Sequence, residues 1–251
     1  MQSSLVSAAA VADKRSVFIA TEHLGRIVPV AELLYSMGRY TFSYTCGALH
    51  LGARTQVVPL PGLPNLTQRY HSKTLFPVFQ PLVAFDGSPA SRERWRIRGL
   101  DPEADGAYSM LALPTRLPTP QLLFTIPSIR GDLEGLFKCR FLVRGPGRGS
   151  PVADGLVPGQ VLRAELVIAD DGRRQRVALT LPDGVFIDWA PEFLAAELLP
   201  IWRSGLSLHV ELLANHRATS NPDEQLLLEV GGRWPAGYTP MNLLVFAPIV
   251  I

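Results

Sequence analysis

Residues 57–66 read VVPLPGLPNL, and Pro59, Pro61 and Pro64 together with Gly62 rule out a helix through the stretch. Proline has no amide donor and its ring clashes with the preceding turn, so the chain here runs as an extended loop. Pro114, Pro118, Pro120 and Pro127 interrupt the middle of the chain in the same way and mark a loop and a domain boundary near residue 135.

Between such breaks the segments are short and read as strands. RYTFSYT (39–45) alternates strictly, with Tyr40, Phe42 and Tyr44 on one face, the pattern of a half-buried strand. Ser16–Ala20 and Arg26–Val30 flank a turn at Gly25 and form a hairpin. The aromatic segment YHSKTLFPVF (70–79) packs the proline-rich loop onto the sheet or barrel. VLRAELVI (161–168) alternates, Val177–Leu181 and Val185–Ile187 flank the turn PDG, LSLHVEL (206–212) alternates again, and Gln225–Val230 is a last clear strand.

Helices are few. SRERWRIRG (91–99) reads as a short helix stopped by Gly99. DWAPEFLAAELL (188–199) starts a second, with Pro191 at or near its first position and Asp188 as its cap. The apolar run Asn242–Ile251 is a tail docked on the fold. The expected architecture is therefore mostly β, two small barrel-like domains with a few short helices, covering residues 1–135 and 136–251.

Composition narrows the function. Apolar residues make up 47% and charged residues 18%, which describes a globular chain, and the net charge of +2 means that any basic surface must be local. No uncharged apolar run reaches the roughly 18 residues of a membrane span, and the N-terminus lacks a long apolar signal core. The expectation is a soluble, cytoplasmic protein without a membrane partner. Cys46 and Cys139 lie far apart and read as reduced packing residues.

Catalytic motifs do not stand out. The chain contains no P-loop, and GPGRGS (145–150) lacks the third glycine and the βαβ surroundings of a dinucleotide loop. His23, His50, His71, His209 and His216 show no zinc spacing, with His209 on the polar side of its strand, and no G-x-S-x-G elbow is present. Asp170 and Asp171 sit beside glycine as turn residues. The sequence thus points to no cofactor and no metal.

Local positive charge remains. Arg140, Arg144, Arg148, Arg163, Arg173, Arg174 and Arg176 crowd one region, and Arg92, Arg94, Arg96 and Arg98 surround Trp95. Arginine suits bidentate phosphate contact, and Trp95 or Trp189 offers a stacking face. The same arginines can equally be solvated or meet an acidic protein surface.

Two sets of residues resemble known families. FLVRGPGR, LVPGQVLRAEL and VALTLPDGVFIDWAPEFLAAEL, in that order, resemble a HIRAN domain, and the ending with Leu226–Leu228 and Trp234–Pro240 is similar to the tail of bacterial HIRAN proteins. FIATEHLGRIVPVAELL, GRYTFSYT, PLPGLPNL and YHSKTLFPVF resemble the small N-terminal subdomain of HipA-type kinases, without room for the kinase domain. The resemblance implies an OB-related barrel in residues 136–251 and capture of single-stranded DNA at a free 3′ end. Gly145 matches the family glycine, but Gly147 stands at the family's arginine position with Arg148 one step on. GRRQRV (172–177) replaces the family's Y-D-x-N-A stretch. Those departures favour backbone contact over end reading.

The resulting expectation is a non-catalytic adaptor of a nucleoprotein or defence complex. It contacts single-stranded nucleic acid, DNA ahead of RNA, through Arg144, Arg148, Arg173, Arg174, Arg176 and Trp189. A protein partner meets the N-terminal domain at the Pro59–Pro64 loop or at the strand edge near Arg39. Two alternatives stand beside it: a purely protein-binding module with a degenerate HIRAN site, and a nuclease or hydrolase whose site residues, such as the converging carboxylates of a metal-dependent nuclease, no spacing reveals.

Overall fold

The computed structural model describes residues 15–52, 58–147, 150–168, 175–216 and 221–249. The protein is mostly β, with two antiparallel sheets and a few short helices. Backbone contacts divide it into two units that interleave along the chain. The first holds the residues up to Asp86, Asp105–Ser128 and the tail from Asn242; the second holds Gly87–Ala104 and Ile129–Met241. This differs from a single cut near residue 135 because long-range backbone contacts, not the prolines between 114 and 127, decide which segment joins which core.

The first sheet contains β1 (Arg15–His23), β2 (Arg26–Ser36), β3 (Arg39–Tyr44), β4 (Tyr70–Ser72) and β5 (Leu123–Pro127), in the order β4-β3-β2-β1-β5. The β1–β2 hairpin turns at Leu24 and Gly25, both at positive φ (52° and 70°), the geometry whose twist matches paired strands. β2 runs on past Val30 to Ser36, longer than its sequence suggests, and Pro29 is accommodated at a register shift against β1. The Pro29 carbonyl, in turn, accepts from the Thr45 hydroxyl at 2.8 Å.

Tyr40, Phe42 and Tyr44 share a face as their alternation requires, and Phe42 and Tyr44 are buried. The Phe42 ring lies 5.0 Å from Tyr44 and 6.1 Å from both Phe76 and Phe79, so the aromatic segment after β4 packs on the sheet. The proline-rich loop is fixed by a turn in which the Leu63 N–H donates to the Leu60 carbonyl at 2.9 Å, with Pro61 and Gly62 (φ 79°) at its centre. Tail residues close this unit: the Ile249 N–H donates to the Tyr44 carbonyl at 2.8 Å, and Phe246 meets Phe18 edge-on at 5.0 Å. The tail therefore docks on the first unit, not on the second domain that its sequence position suggests.

Helices α1 (Cys46–Gly52), α2 (Gln80–Val83), α3 (Pro89–Ile97), α4 (Ala107–Leu111), α5 (Pro151–Gly155) and α6 (Glu192–Arg203) are short. In α3 the Ser88 side chain accepts from the Ser91 N–H at 3.2 Å, and the helix stops at Gly99, where Leu100 bonds back to the Trp95 carbonyl. This start lies two residues ahead of the expected one, because proline is well tolerated in a first turn.

The second sheet contains β6 (Leu136–Val143), β7 (Val161–Ile168), β8 (Gln175–Thr180), β9 (Phe186–Trp189), β10 (Leu208–Asn215) and β11 (Leu226–Arg233), in the order β6-β11-β10-β7-β8-β9. The PDG turn joins β8 to β9 as a hairpin, and α6 packs on β7 and β8 and buries Leu194, Leu198 and Ile201. A buried carboxylate on α6, Glu197, accepts from the Tyr238 hydroxyl and the Met241 N–H, both at 2.9 Å. Trp234 stacks on Phe137 at 4.2 Å and donates to the Ile129 carbonyl at 3.0 Å, so the W-P-x-G-Y ending is a structural anchor.

Edge strands β6 and β9 are five strand spacings apart in this sheet, about 24 Å if it were flat. Yet the Gly145 N–H just beyond β6 donates to Asp188 on β9 at 3.0 Å. The sheet must curl back on itself to permit that bond, which gives it the form of a half-barrel.

Candidate nucleic-acid interface

The seam of the half-barrel is built from the ends of three strands. β6 finishes at Val143, and Gly145 turns the chain at φ 72°. A Cβ there would stand 2.6 Å from Leu226 Cδ1, so the position requires glycine twice over, for conformation and for space. The turn aims the Gly145 N–H at Asp188, whose Oδ2 accepts it at 3.0 Å while Oδ1 accepts the Trp189 N–H at 2.7 Å. Asp188 is thus a strand clasp and not the expected helix cap. Pro191 occupies the cap position of α6, with no side-chain bond to the helix.

Three of the six expected contact residues meet in this seam. A cleft of about 400 Å3 is lined by Arg144, Arg176, Asp188, Trp189 and Asp223, among others. Arg176 projects from β8 with its guanidinium carbon 4.0 Å from the Trp189 ring centroid, a cation–π contact. Phe186 lies 5.2 Å from Trp189 and is about half exposed (48%), extending the aromatic surface along β9. Arg144 reaches Asp223 Oδ1 through Nε at 2.9 Å and Nη2 at 2.8 Å, an ion pair exposed on both sides. Arg148, Arg173 and Arg174 lie outside the described residues.

Arg96, Arg98 and Arg140 are committed elsewhere. Arg96 pairs with Glu93 at 2.7 Å within α3. Arg98 is buried and pairs with Glu224 at 3.0 Å; burial, only partly offset by Glu224, lowers its pKa. Arg140 and Lys138 share Glu229, at 3.0 and 2.8 Å. Trp95 is only 4% exposed, so of the two tryptophans offered by the sequence, Trp189 alone can meet a base. Sequence reasoning missed Phe186, which its exposed place on a short edge strand could have flagged. It also missed Asp223, which carried no signal.

Remaining reactive groups are placed by packing. The Cys139 thiol is buried, which pushes its pKa up. His216 is buried 3.3 Å from Arg96, and both burial and that cation hold its imidazole below its usual pKa. His209 is exposed beside Glu211 at 3.5 Å. Among the described residues, no cluster of three or more His, Cys, Asp or Glu is arranged to hold a metal ion. No helix among them is long and apolar enough to cross a membrane.

Compared with protein-family models, with curated proteins and with solved structures, the chain gives no match.

Proposed function

We propose that the protein is a non-catalytic adaptor that contacts the phosphate backbone of single-stranded nucleic acid through the seam of its half-barrel. The observation that carries this reading is the shared cleft of Arg144, Arg176 and Trp189, with the Arg176 guanidinium stacked 4.0 Å over the indole. Guanidinium planes and aromatic faces accept unpaired bases, while arginine forks accept phosphate oxygens. Phe186 beside Trp189 adds a second aromatic face. A duplex hides its base faces, so the aromatic part of this surface favours single strands. Membership of a nucleoprotein or defence complex remains part of the proposal through the HIRAN resemblance.

Fluorescence anisotropy with labelled single-stranded DNA, single-stranded RNA and duplex tests it, at low and physiological salt. Binding of single strands that weakens with Arg144→Ala, Arg176→Ala and Trp189→Ala supports the reading. Absence of binding at low salt, where phosphate contacts are strongest, overturns it.

A second reading has its own observation. Asp188 and Asp223 balance Arg144 and Arg176 in the cleft lining, a charge pattern suited to a mixed protein surface. In the first unit, Pro61 and Pro64 are exposed on a loop held rigid by Tyr44. Under this reading the chain is a protein-interaction module, and retention of a protein partner by variants of the Pro59–Pro64 loop would count against it.

A further inference from the structure

We propose that Asp223 is a built-in competitor for the phosphate that Arg144 would bind, a carboxylate that holds the arginine until nucleic acid displaces it. This rests on the reading of the seam as a nucleic-acid interface and adds how its affinity is set. Asp223 Oδ1 lies 2.8 Å from Nη2 and 2.9 Å from Nε of Arg144, so one carboxylate oxygen takes two donors of the fork. A phosphate oxygen seeks the same two donors.

The competitor is held in place from behind. Asp223 belongs to a single 3-10 turn, Pro222–Glu224, whose Asn221 side chain accepts the Asp223 N–H at 3.1 Å. The next residue, Glu224, is tied at 3.0 Å to the buried Arg98 of the segment after α3. Backbone position is therefore fixed by an ion pair whose arginine is buried, while the Asp223 side chain itself is 66% exposed and can swing away.

The two carboxylates of the cleft differ in availability. Both Asp188 oxygens already accept main-chain N–H groups. Asp223 is the one placed directly on a cation, so it is the group that an incoming phosphate must exchange. An exposed pair of this kind is weak, which makes the exchange reversible and the bound strand easy to release. Arg98 acts here as a positioning residue at one remove, through Glu224.

A double-mutant cycle tests the inference with a labelled twelve-nucleotide oligothymidylate read by anisotropy at low salt. Asp223→Asn is expected to tighten binding about three- to fivefold in the natural chain and to leave the affinity of Arg144→Ala unchanged. Equal tightening in both backgrounds would mean that only net charge matters, and no tightening in either would mean that Asp223 does not compete; both outcomes overturn the inference while the interface stands. If neither the natural chain nor Asp223→Asn binds the oligonucleotide, the interface itself falls and the inference with it. Both positions are exposed, so matching thermal melts of the four proteins confirm that folding is not the cause.

Discussion

The main-chain N–H of Gly145 donates to Oδ2 of Asp188 at 3.0 Å, across 43 residues of sequence. That bond joins the end of one edge strand to the other and brings Arg144 and Trp189, their immediate neighbours, into one cleft. Asp188→Ala leaves two main-chain donors without their acceptor and is expected to lower stability by about 1–3 kcal/mol. Asp188→Asn, with one acceptor oxygen left, should lose less. Urea unfolding of the two variants checks the order.

Gly145→Ala combines a left-handed backbone with a Cβ 2.6 Å from Leu226 Cδ1. The conformational part alone costs about 1–2 kcal/mol, and Leu226 must move in addition. A larger loss than that of Gly62→Ala is expected in denaturant unfolding, because Gly62 shares the positive φ but has nothing within 4 Å of its Cβ position.

Tyr44 holds the proline-rich loop with its hydroxyl, which accepts the Leu60 N–H at 2.6 Å and donates to the Leu63 carbonyl at 2.8 Å. Tyr44→Phe should cost about 1–3 kcal/mol by orphaning buried groups. Burial pushes the Tyr44 pKa up from 10.0 to about 12, against the Leu60 N–H and with help from Tyr70. Above pH 10 the unfolded chain loses this proton while the folded one keeps it. Tyr44 thus contributes stability that is full below about pH 10 and fades as pH rises toward about 12. Stability measured against alkaline pH should fall less steeply in Tyr44→Phe.

Arg98 and Glu224 form an ion pair with the arginine side buried. Glu224→Ala leaves that cation without its carboxylate and should destabilise by about 3–5 kcal/mol, while adding Arg98→Met should recover a large part of the loss. Thermal unfolding of the single and double variants reads the coupling directly. Recovery would show that burial of the charge, not loss of the helix segment, sets the cost.

Much of the fold is legible in local sequence. Alternation at Tyr40, Phe42 and Tyr44, the turn at Gly25, the PDG hairpin and the stop at Gly99 all follow from short-range rules, and all are present. What local rules could not supply are the partners. Asp188 reads as a helix cap because α6 starts nearby, and only the curl of the sheet reveals Gly145 as its donor. Asp223 lies 79 residues from Arg144, and Arg98 lies 126 from Glu224, separations at which sequence spacing carries no geometric information. The assignment of the C-terminal tail to the first unit has the same origin, in Ile249 and Phe246 meeting β3 and β1.

The most direct test of the seam as a nucleic-acid interface is a two-dimensional NMR titration of the 15N-labelled chain with a short single-stranded DNA, following the four tryptophan indole N–H signals. Trp189 lies in the cleft, whereas Trp95 and Trp234 are buried away from solvent and serve as internal references. The expected result is a progressive shift of the Trp189 indole and the Gly145 amide, with Trp95 and Trp234 unmoved. Static signals throughout, or shifts confined to residues outside the seam, would contradict the account.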